Sequence, residues 1–180
     1  TTNKNIIMIV FGKERDYIIH DNENIKGLFG DYRFLSNFEE CPVWFDGLLY
    51  NSTEAAYQSG KTLDMNKRKE FTLMSPKESM HAGRAMEKTD FFRKDWKGVK
   101  YDVMASCIFD KFYRNEDLRT KLLQTGNKYI EETNHWKDTW WGVCDGKGQS
   151  NLGKILMGIR QFWQLKYKQP EIDIQYKLNL

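Results

Sequence analysis

Apolar positions along the chain change their spacing several times, and each change marks an element. Residues 6–11 and 17–20 are short apolar runs separated by polar residues, which predicts two strands joined by a polar turn. Val43, Trp44 and Phe45 lead into Asp46-Gly47, and Leu48, Leu49 and Tyr50 lead out. Asp-Gly between two apolar runs predicts a hairpin, because a type I′ turn needs positive φ at both central residues. After Asn51-Ser52-Thr53 the spacing becomes helical. Glu54, Gln58 and Lys61 fall at i, i+4 and i+7 on one face, with Ala56, Gly60 and Leu63 opposite. Ser75-Pro76-Lys77-Glu78 places a cap, a proline and an acid where a helix begins, and predicts a helix to about residue 87. Val103, Met104, Cys107, Ile108 and Phe112 form the stripe of a core helix, and a further helix from Asn115 to Gly126 holds Leu118, Leu122 and Leu123. Leu152, Ile155, Leu156, Ile159, Phe162 and Trp163 predict one more buried stripe. After Pro170 the alternation of Ile172, Ile174, Tyr176, Leu178 and Leu180 has the period of a strand, suited to pairing with the N-terminal strands.

These elements imply an α+β fold: a predominantly helical single domain with a small β element. The expected layout is an N-terminal β extension over residues 1–27, a core domain over 28–168 and a strand-like tail over 169–180. At 180 residues the chain can bury a real core. Lys plus Arg number 28 and Asp plus Glu 25, a net charge of +3. That mild excess is compatible with a nucleotide or nucleic-acid ligand without pointing to one. Three cysteines (Cys41, Cys107 and Cys144) follow no metal spacing and are expected as reduced thiols in the cytoplasm. His20, His81 and His135 are scattered, so neither a catalytic metal nor a cofactor is expected. No apolar run has membrane-spanning length, and the N-terminal residues lack a signal-peptide layout.

Two segments carry candidate chemistry. Glu54, Gln58 and Lys61 project a carboxylate, an amide and an amine together beside a hairpin rich in rings. The plainer reading makes Glu54 the acid of a capping box begun by Asn51, and Lys61 a solvated lysine. The second segment is Asp138-Thr139-Trp140-Trp141-Gly142, followed by Asp145-Gly146-Lys147-Gly148 and Asn151-Leu152-Gly153-Lys154. A tryptophan is usually core, but beside a glycine-rich loop it can also wall a base or sugar. Glycines before a helix leave N–H groups that suit a phosphate, although the spacing matches no nucleotide-binding fingerprint and a Ser150 or Asn151 cap is the simpler reading. Cys144 lies in this loop as an incidental thiol.

Taken in order, these pieces resemble the NADAR (YbiA-like) domain family. The matching pieces are Phe34-Leu35-Ser36-Asn37-Phe38, Asp46-Gly47, Tyr50, Glu54-Ala55-Ala56-Tyr57-Gln58 and Lys61. Gly83-Arg84, Arg93-Lys94-Asp95-Trp96, Val103-Met104, Asp138, Trp141-Gly142, Gly148, Asn151-Leu152-Gly153, Leu156-Met157 and Arg160 follow. The resemblance spans roughly residues 28–163. Glu39-Glu40-Cys41 departs from it where the family usually has an aromatic and small residues, and Ala55 stands where a histidine is frequent.

The resemblance implies a YbiA-like fold and hydrolysis of a bond between ribose C1 and nitrogen. One branch of the family destroys ribosylamino-pyrimidine phosphates of riboflavin synthesis; another strips ADP-ribose from guanine in nucleic acid. Breaking a ribosyl C–N bond builds positive charge on the ring, which a nearby carboxylate stabilises. On that basis the expected catalytic residues are Glu54, Lys61 and Asp138, with Lys61 either a charge on phosphate or hydroxyl or a Schiff-base nucleophile. The expected substrate-binding residues are Arg33, Phe34, Ser36, Asn37, Tyr57, Gln58, Arg84, Trp141, Gly142, Asn151 and Lys154. Trp141 and Phe34 would sandwich the base, and Arg33, Arg84 and Lys154 would meet phosphate. Arg84 has a plainer role as a salt-bridge partner on its helix. The partner is then an ADP-ribose or ribose-phosphate substrate, with nucleic acid as its carrier, and no membrane. A non-catalytic ADP-ribose reader is the alternative of another class. The Lys-rich segments 67–69 and 94–100 lean toward the polymer.

Overall fold

The hairpin legible in the sequence is the first rigid piece of the core. In the computed structural model, which describes residues 10–11, 16–17 and 19–168, β5 (Glu40–Phe45) and β6 (Leu48–Ser52) pair antiparallel with Phe45 opposite Leu48. Asp46 and Gly47 take φ of 46° and 86°, as a type I′ turn demands. Val43 and Tyr50, paired across the ladder, are buried, while Trp44 and Leu49 point the other way and stay exposed.

The chain passes from β6 straight into α1 (Thr53–Ser59). The cap is Ser52 rather than Asn51. Ser52 Oγ accepts the Ala55 N–H at 3.1 Å, whereas Asn51 remains in β6 and donates its amide to the Thr72 carbonyl at 3.1 Å. Glu54 therefore sits at the second helical position, and the capping-box reading of its carboxylate falls away. Every residue of α1 is buried. The helix closes at Gly60, so Lys61 follows it in a turn, with its N–H on the Gln58 carbonyl at 3.2 Å. The expected helical face ends before it reaches Lys61.

Around α1 stand α2 (Met65–Phe71), α3 (Pro76–Met86) and α4 (Trp96–Arg114), followed by α5 (Glu116–Gln124) and α6 (Asn151–Lys168). α3 begins with the predicted capping box: Ser75 N–H donates to Glu78 at 2.8 Å and Glu78 N–H to Ser75 at 3.3 Å. The α4 stripe is buried as its spacing implied, and α1 packs on both α3 and α4. In α6, Leu152, Ile155, Leu156, Ile159 and Trp163 are buried, but Phe162 is 46% exposed. One residue turns a helix by about 100°, which carries Phe162 off the stripe that Trp163 completes. Its ring meets Phe109 edge-on at 5.4 Å.

The β structure is small and divided. β1 (Val10–Phe11) pairs with β2 (Asp16–Tyr17). β3 (Ile19–His20) and β7 (Tyr129–Glu131) flank β4 (Asn24–Lys26), antiparallel and parallel respectively. Of the second predicted N-terminal strand, Tyr17 falls in β2, and Ile19 and His20 join the sheet that carries β7. β8 (Val143–Cys144) and β9 (Lys147–Gly148) form a short hairpin before α6. Residues 6–9 and the alternating tail after Pro170 lie outside the described residues. Among the described residues no helix is long and apolar enough to cross a membrane.

The cap assignment has a measurable consequence. Ser52→Ala leaves the buried Ala55 N–H without an acceptor and is expected to cost about 1–2 kcal/mol. Asn51→Ala removes only an exposed side-chain bond and should cost about 0.5 kcal/mol or less. Urea denaturation of both variants checks the order; equal losses would return the cap to Asn51.

Candidate active site

α1, the start of α4, α3, the segment around Ser36 and the segment from Glu132 to Trp141 enclose a cavity of about 1030 Å³. Glu54, Lys61 and Asp138 all line it, so the first helix and the distant tryptophan loop do share one space. Arg33, Ser36, Asn37, Tyr57, Gln58, Arg84 and Trp141 line it too. Phe34, Gly142, Asn151 and Lys154 do not.

Glu54 is 6% exposed, and Gln58 Nε2 donates to its Oε1 at 2.8 Å. Burial pushes the Glu54 carboxyl above its ordinary range, against the opposing pull of the Gln58 hydrogen bond and the Lys61 and Arg84 charges. α3 supplies the room for this pair. A Cβ at Gly83 would stand 1.9 Å from Gln58 Oε1, so only glycine lets the amide lie where it meets Glu54. Lys61, 5% exposed, is held by Glu87 at the end of α3, with Nζ 2.5 Å from Oε1. Arg84 forms no hydrogen bond or ion pair with another described residue, so the plain salt-bridge role fails; it lines the cavity, where its charge acts on Glu54.

Asp138 works through the loop it belongs to. Its Oδ1 accepts the N–H groups of Trp140 at 2.9 Å and Trp141 at 2.8 Å. Asn134, 2% exposed, clamps the same loop: its amide donates to the Asp138 carbonyl at 2.7 Å and accepts the Asp138 N–H at 3.1 Å. The Trp141 ring stands edge-on to Tyr57 at 5.6 Å and stacks on Tyr101 at 6.3 Å, and Tyr57 leans on Trp96 at 5.1 Å. Burial, above all, pushes the Tyr57 phenol up, so it stays neutral. Trp140 lies outside the cavity beneath the Lys100 ammonium, 4.0 Å from its ring centroid.

Of the four residues that miss the cavity, Phe34, Gly142 and Asn151 have structural duties. Phe34 is core, 6% exposed, so the expected two-sided sandwich of a base lacks that wall. Gly142 lets two segments touch: a Cβ there would stand 2.3 Å from the Glu132 carbonyl. At the start of α6 the Asn151 and Leu152 N–H groups donate to the Trp140 and Trp141 carbonyls at 3.3 and 3.1 Å. That helix end holds the tryptophan loop instead of presenting those N–H groups to a phosphate. Asn151 Nδ2 donates to Gln149 at 3.1 Å, and Lys154 is exposed on α6.

Several lining residues carried no periodic signal in the sequence. Glu132, just after β7, faces the cavity, and burial with the nearby Asp138 and Glu54 charges pushes its carboxyl up to about 8. Trp96, Lys97 and Lys100 come from the first turns of α4, inside the segment whose lysines stand out in the sequence, and Trp136 comes from the loop before Asp138. Five cations (Arg33, Lys61, Arg84, Lys97 and Lys100) thus face four carboxyls (Glu54, Glu87, Glu132 and Asp138). Among the described residues no three His, Cys, Asp or Glu side chains are grouped to hold a metal.

A profile of the NADAR domain matches residues 20–164. The chain belongs to the NADAR domain family. It is 36% identical to N-glycosidase YbiA of Escherichia coli over 134 residues, which cover 73% of this chain and 81% of that protein. It is 33% identical to a riboflavin biosynthesis protein of Vibrio vulnificus over 133 residues, covering 73% of this chain. The matched region spans only 35% of that longer relative. The NMR structure of E. coli YbiA superposes with a TM-score of 0.72 at 30% identity, covering 86% of this chain and 94% of the other. The mixed fold, helical with a small β element, is thus the NADAR fold that the residue pattern resembled.

Gly83 offers a test of the Glu54 setting. In Gly83→Ala the new methyl meets the end of a flexible side chain, so Gln58 is expected to swing away while the helix pair holds. Glu54 then loses a donor to its charged form, and its pKa should rise further, read in a carboxyl ¹³C titration. An unchanged titration would show that the amide does not govern this carboxyl.

Proposed function

We propose that this NADAR domain is an N-glycosidase that hydrolyses the bond between ribose C1 and a nitrogen, and that its substrate is ADP-ribosylated guanine in nucleic acid. The observation that carries the reading is the buried Glu54 carboxyl in a cavity walled by Trp141 and Tyr57 and rimmed by cations. As the C–N bond lengthens, positive charge spreads over C1 and the ring oxygen. A carboxylate held in a dry site meets that charge at little reorganisation cost. Gln58 leaves one Glu54 oxygen uncommitted for the sugar or for the attacking water.

The size of the cavity supports a large ligand. At about 1030 Å³ it stands at the upper end of the range for small-molecule sites. Two cations without an ion pair among the described residues come from separate elements, Arg84 on α3 and Lys97 on α4, which suits a ligand with more than one phosphate. Trp141 offers a flat wall for a base. A second reading, a ribosylamino-pyrimidine phosphate, is favoured by the Vibrio vulnificus relative named for riboflavin biosynthesis. A covalent route through Lys61 would need its amine neutral, and Glu87, 2.5 Å away, is the base in reach.

The reading is tested by offering the protein an ADP-ribosylated guanine oligonucleotide and a ribosylamino-uracil phosphate and following release of each sugar. Faster loss of ADP-ribose from the oligonucleotide is expected; preference for the pyrimidine phosphate would move the assignment to the second reading. Glu54→Gln is expected to fold and to lose about 100-fold or more of kcat. Wild-type turnover in that variant would remove Glu54 from the chemistry. Borohydride added during turnover should trap the sugar on Lys61 only if the covalent route operates.

A further inference from the structure

Of the four carboxyl groups lining the cavity, Glu54, Asp138 and Glu132 lie near enough to act on one another, and their surroundings differ in kind. Glu54 accepts the Gln58 amide and feels the Lys61 and Arg84 charges. Asp138 spends Oδ1 on two backbone N–H groups. Glu132 makes no side-chain hydrogen bond or ion pair with another described residue, although its backbone is firmly placed. Its carbonyl accepts the Val143 N–H at 2.9 Å and abuts Gly142. The Glu132 side chain is thus firmly mounted, lines the ligand space and has no hydrogen-bond or ion-pair partner among the described residues.

We infer that Glu132 is the proton donor to the leaving nitrogen, the counterpart of Glu54 in the same cavity. The inference rests on the N-glycosidase reading. The two environments sort the roles, since paired carboxyls in unlike settings take acid and base duties. Everything that offsets burial at Glu54 favours its anion: an amide donor and two cations. At Glu132 no donor or cation among the described residues offsets it, and its charged neighbours Asp138 and Glu54 both oppose ionisation, so the proton is retained up to about pH 8. The other titratable groups lining the cavity are Arg33, Lys61, Arg84, Glu87, Lys97 and Lys100. In the reaction the C1–N bond breaks, and nitrogen takes the Glu132 proton with the bonding electrons. Water adds its oxygen to C1 and gives a proton to Glu54. Glu54 releases that proton to solvent, and Glu132 recovers one from solvent. Ribose leaves with a hydroxyl and the base with N–H.

The test compares wild type with Glu132→Gln on two kinds of substrate. One is the N-riboside that wild type cleaves. The other is 4-nitrophenyl ribofuranoside 5-phosphate, whose phenolate leaves without a proton. On the N-riboside the variant is expected to lose about 100-fold or more of kcat, the scale of general acid catalysis, and the basic limb of the pH profile should vanish. On the nitrophenyl riboside the loss should be at least about tenfold smaller than on the N-riboside, because only the N–H step is missing. Equal losses on both, no loss on either, or a surviving basic limb would overturn the proposal. A carboxyl ¹³C titration of the wild-type protein needs no substrate and covers a variant that fails to fold. A resonance with a midpoint near 8 supports the donor, whereas ordinary carboxyl titration by Glu132 overturns it. A wild type inactive on every N-riboside, with Glu132 still titrating near 8, would instead defeat the functional reading and leave the protonation intact.

Discussion

α1 is buried on every side yet carries a carboxyl and an amide, with an ammonium just past its end, and much of the architecture around it answers that conflict. A buried charge is costly unless partners replace water. Gln58 turns back to Glu54 along the helix, Glu87 just past α3 reaches Lys61, and α3 carries glycine at a point where a side chain would push Gln58 aside. The Glu54 N–H itself donates to the Asn37 carbonyl at 3.0 Å, which ties the helix start to the segment lining the cavity. That segment is held from the other side by Lys111 of α4, whose buried ammonium donates to the Ser36 carbonyl at 2.8 Å.

The second half of the site depends on backbone stitching. The Trp140-Trp141 segment is pinned by Asp138, by Asn134 and by the first N–H groups of α6. Gly142 lets this loop lie against the backbone of Glu132, just past β7, so the tryptophan wall and the spare carboxyl are placed by the same contact. Holding such carboxyls in a dry cavity costs stability. A carboxyl whose pKa in the folded state lies above its unfolded value of 4.5 favours folding most at low pH. For Glu132 that contribution fades as pH rises through about 8. The site is therefore bought against stability at alkaline pH.

Where a signal is local, the sequence is readable. The Asp46-Gly47 hairpin, the capping box of α3 and the α4 stripe depend on residues within a few positions of one another, and each stands where its pattern places it. Ambiguity enters where neighbours compete. Asn51 and Ser52 are both good caps, and the strand that claims Asn51 decides for Ser52. Phe162 and Trp163 both fit an apolar stripe, and the rotation of α6 against its neighbours chooses Trp163. An apolar pattern alone does not separate a wall of the cavity from core: Phe34 lies inside and Trp141 lines the space.

The chain's own order of residues determined the element types, the NADAR family and the grouping of Glu54 with Gln58, since these follow from backbone period and from spacing along one helix. Only the folded molecule decided that Glu132, Trp136 and the lysines of α4 share a cavity with that helix, that Arg84 has no ion-pair partner among the described residues, and that the α6 N-terminus is occupied by the tryptophan loop. Those facts depend on which groups meet across long stretches of chain and on how much water is left between them. Neither proximity nor dryness is written in the period of a segment.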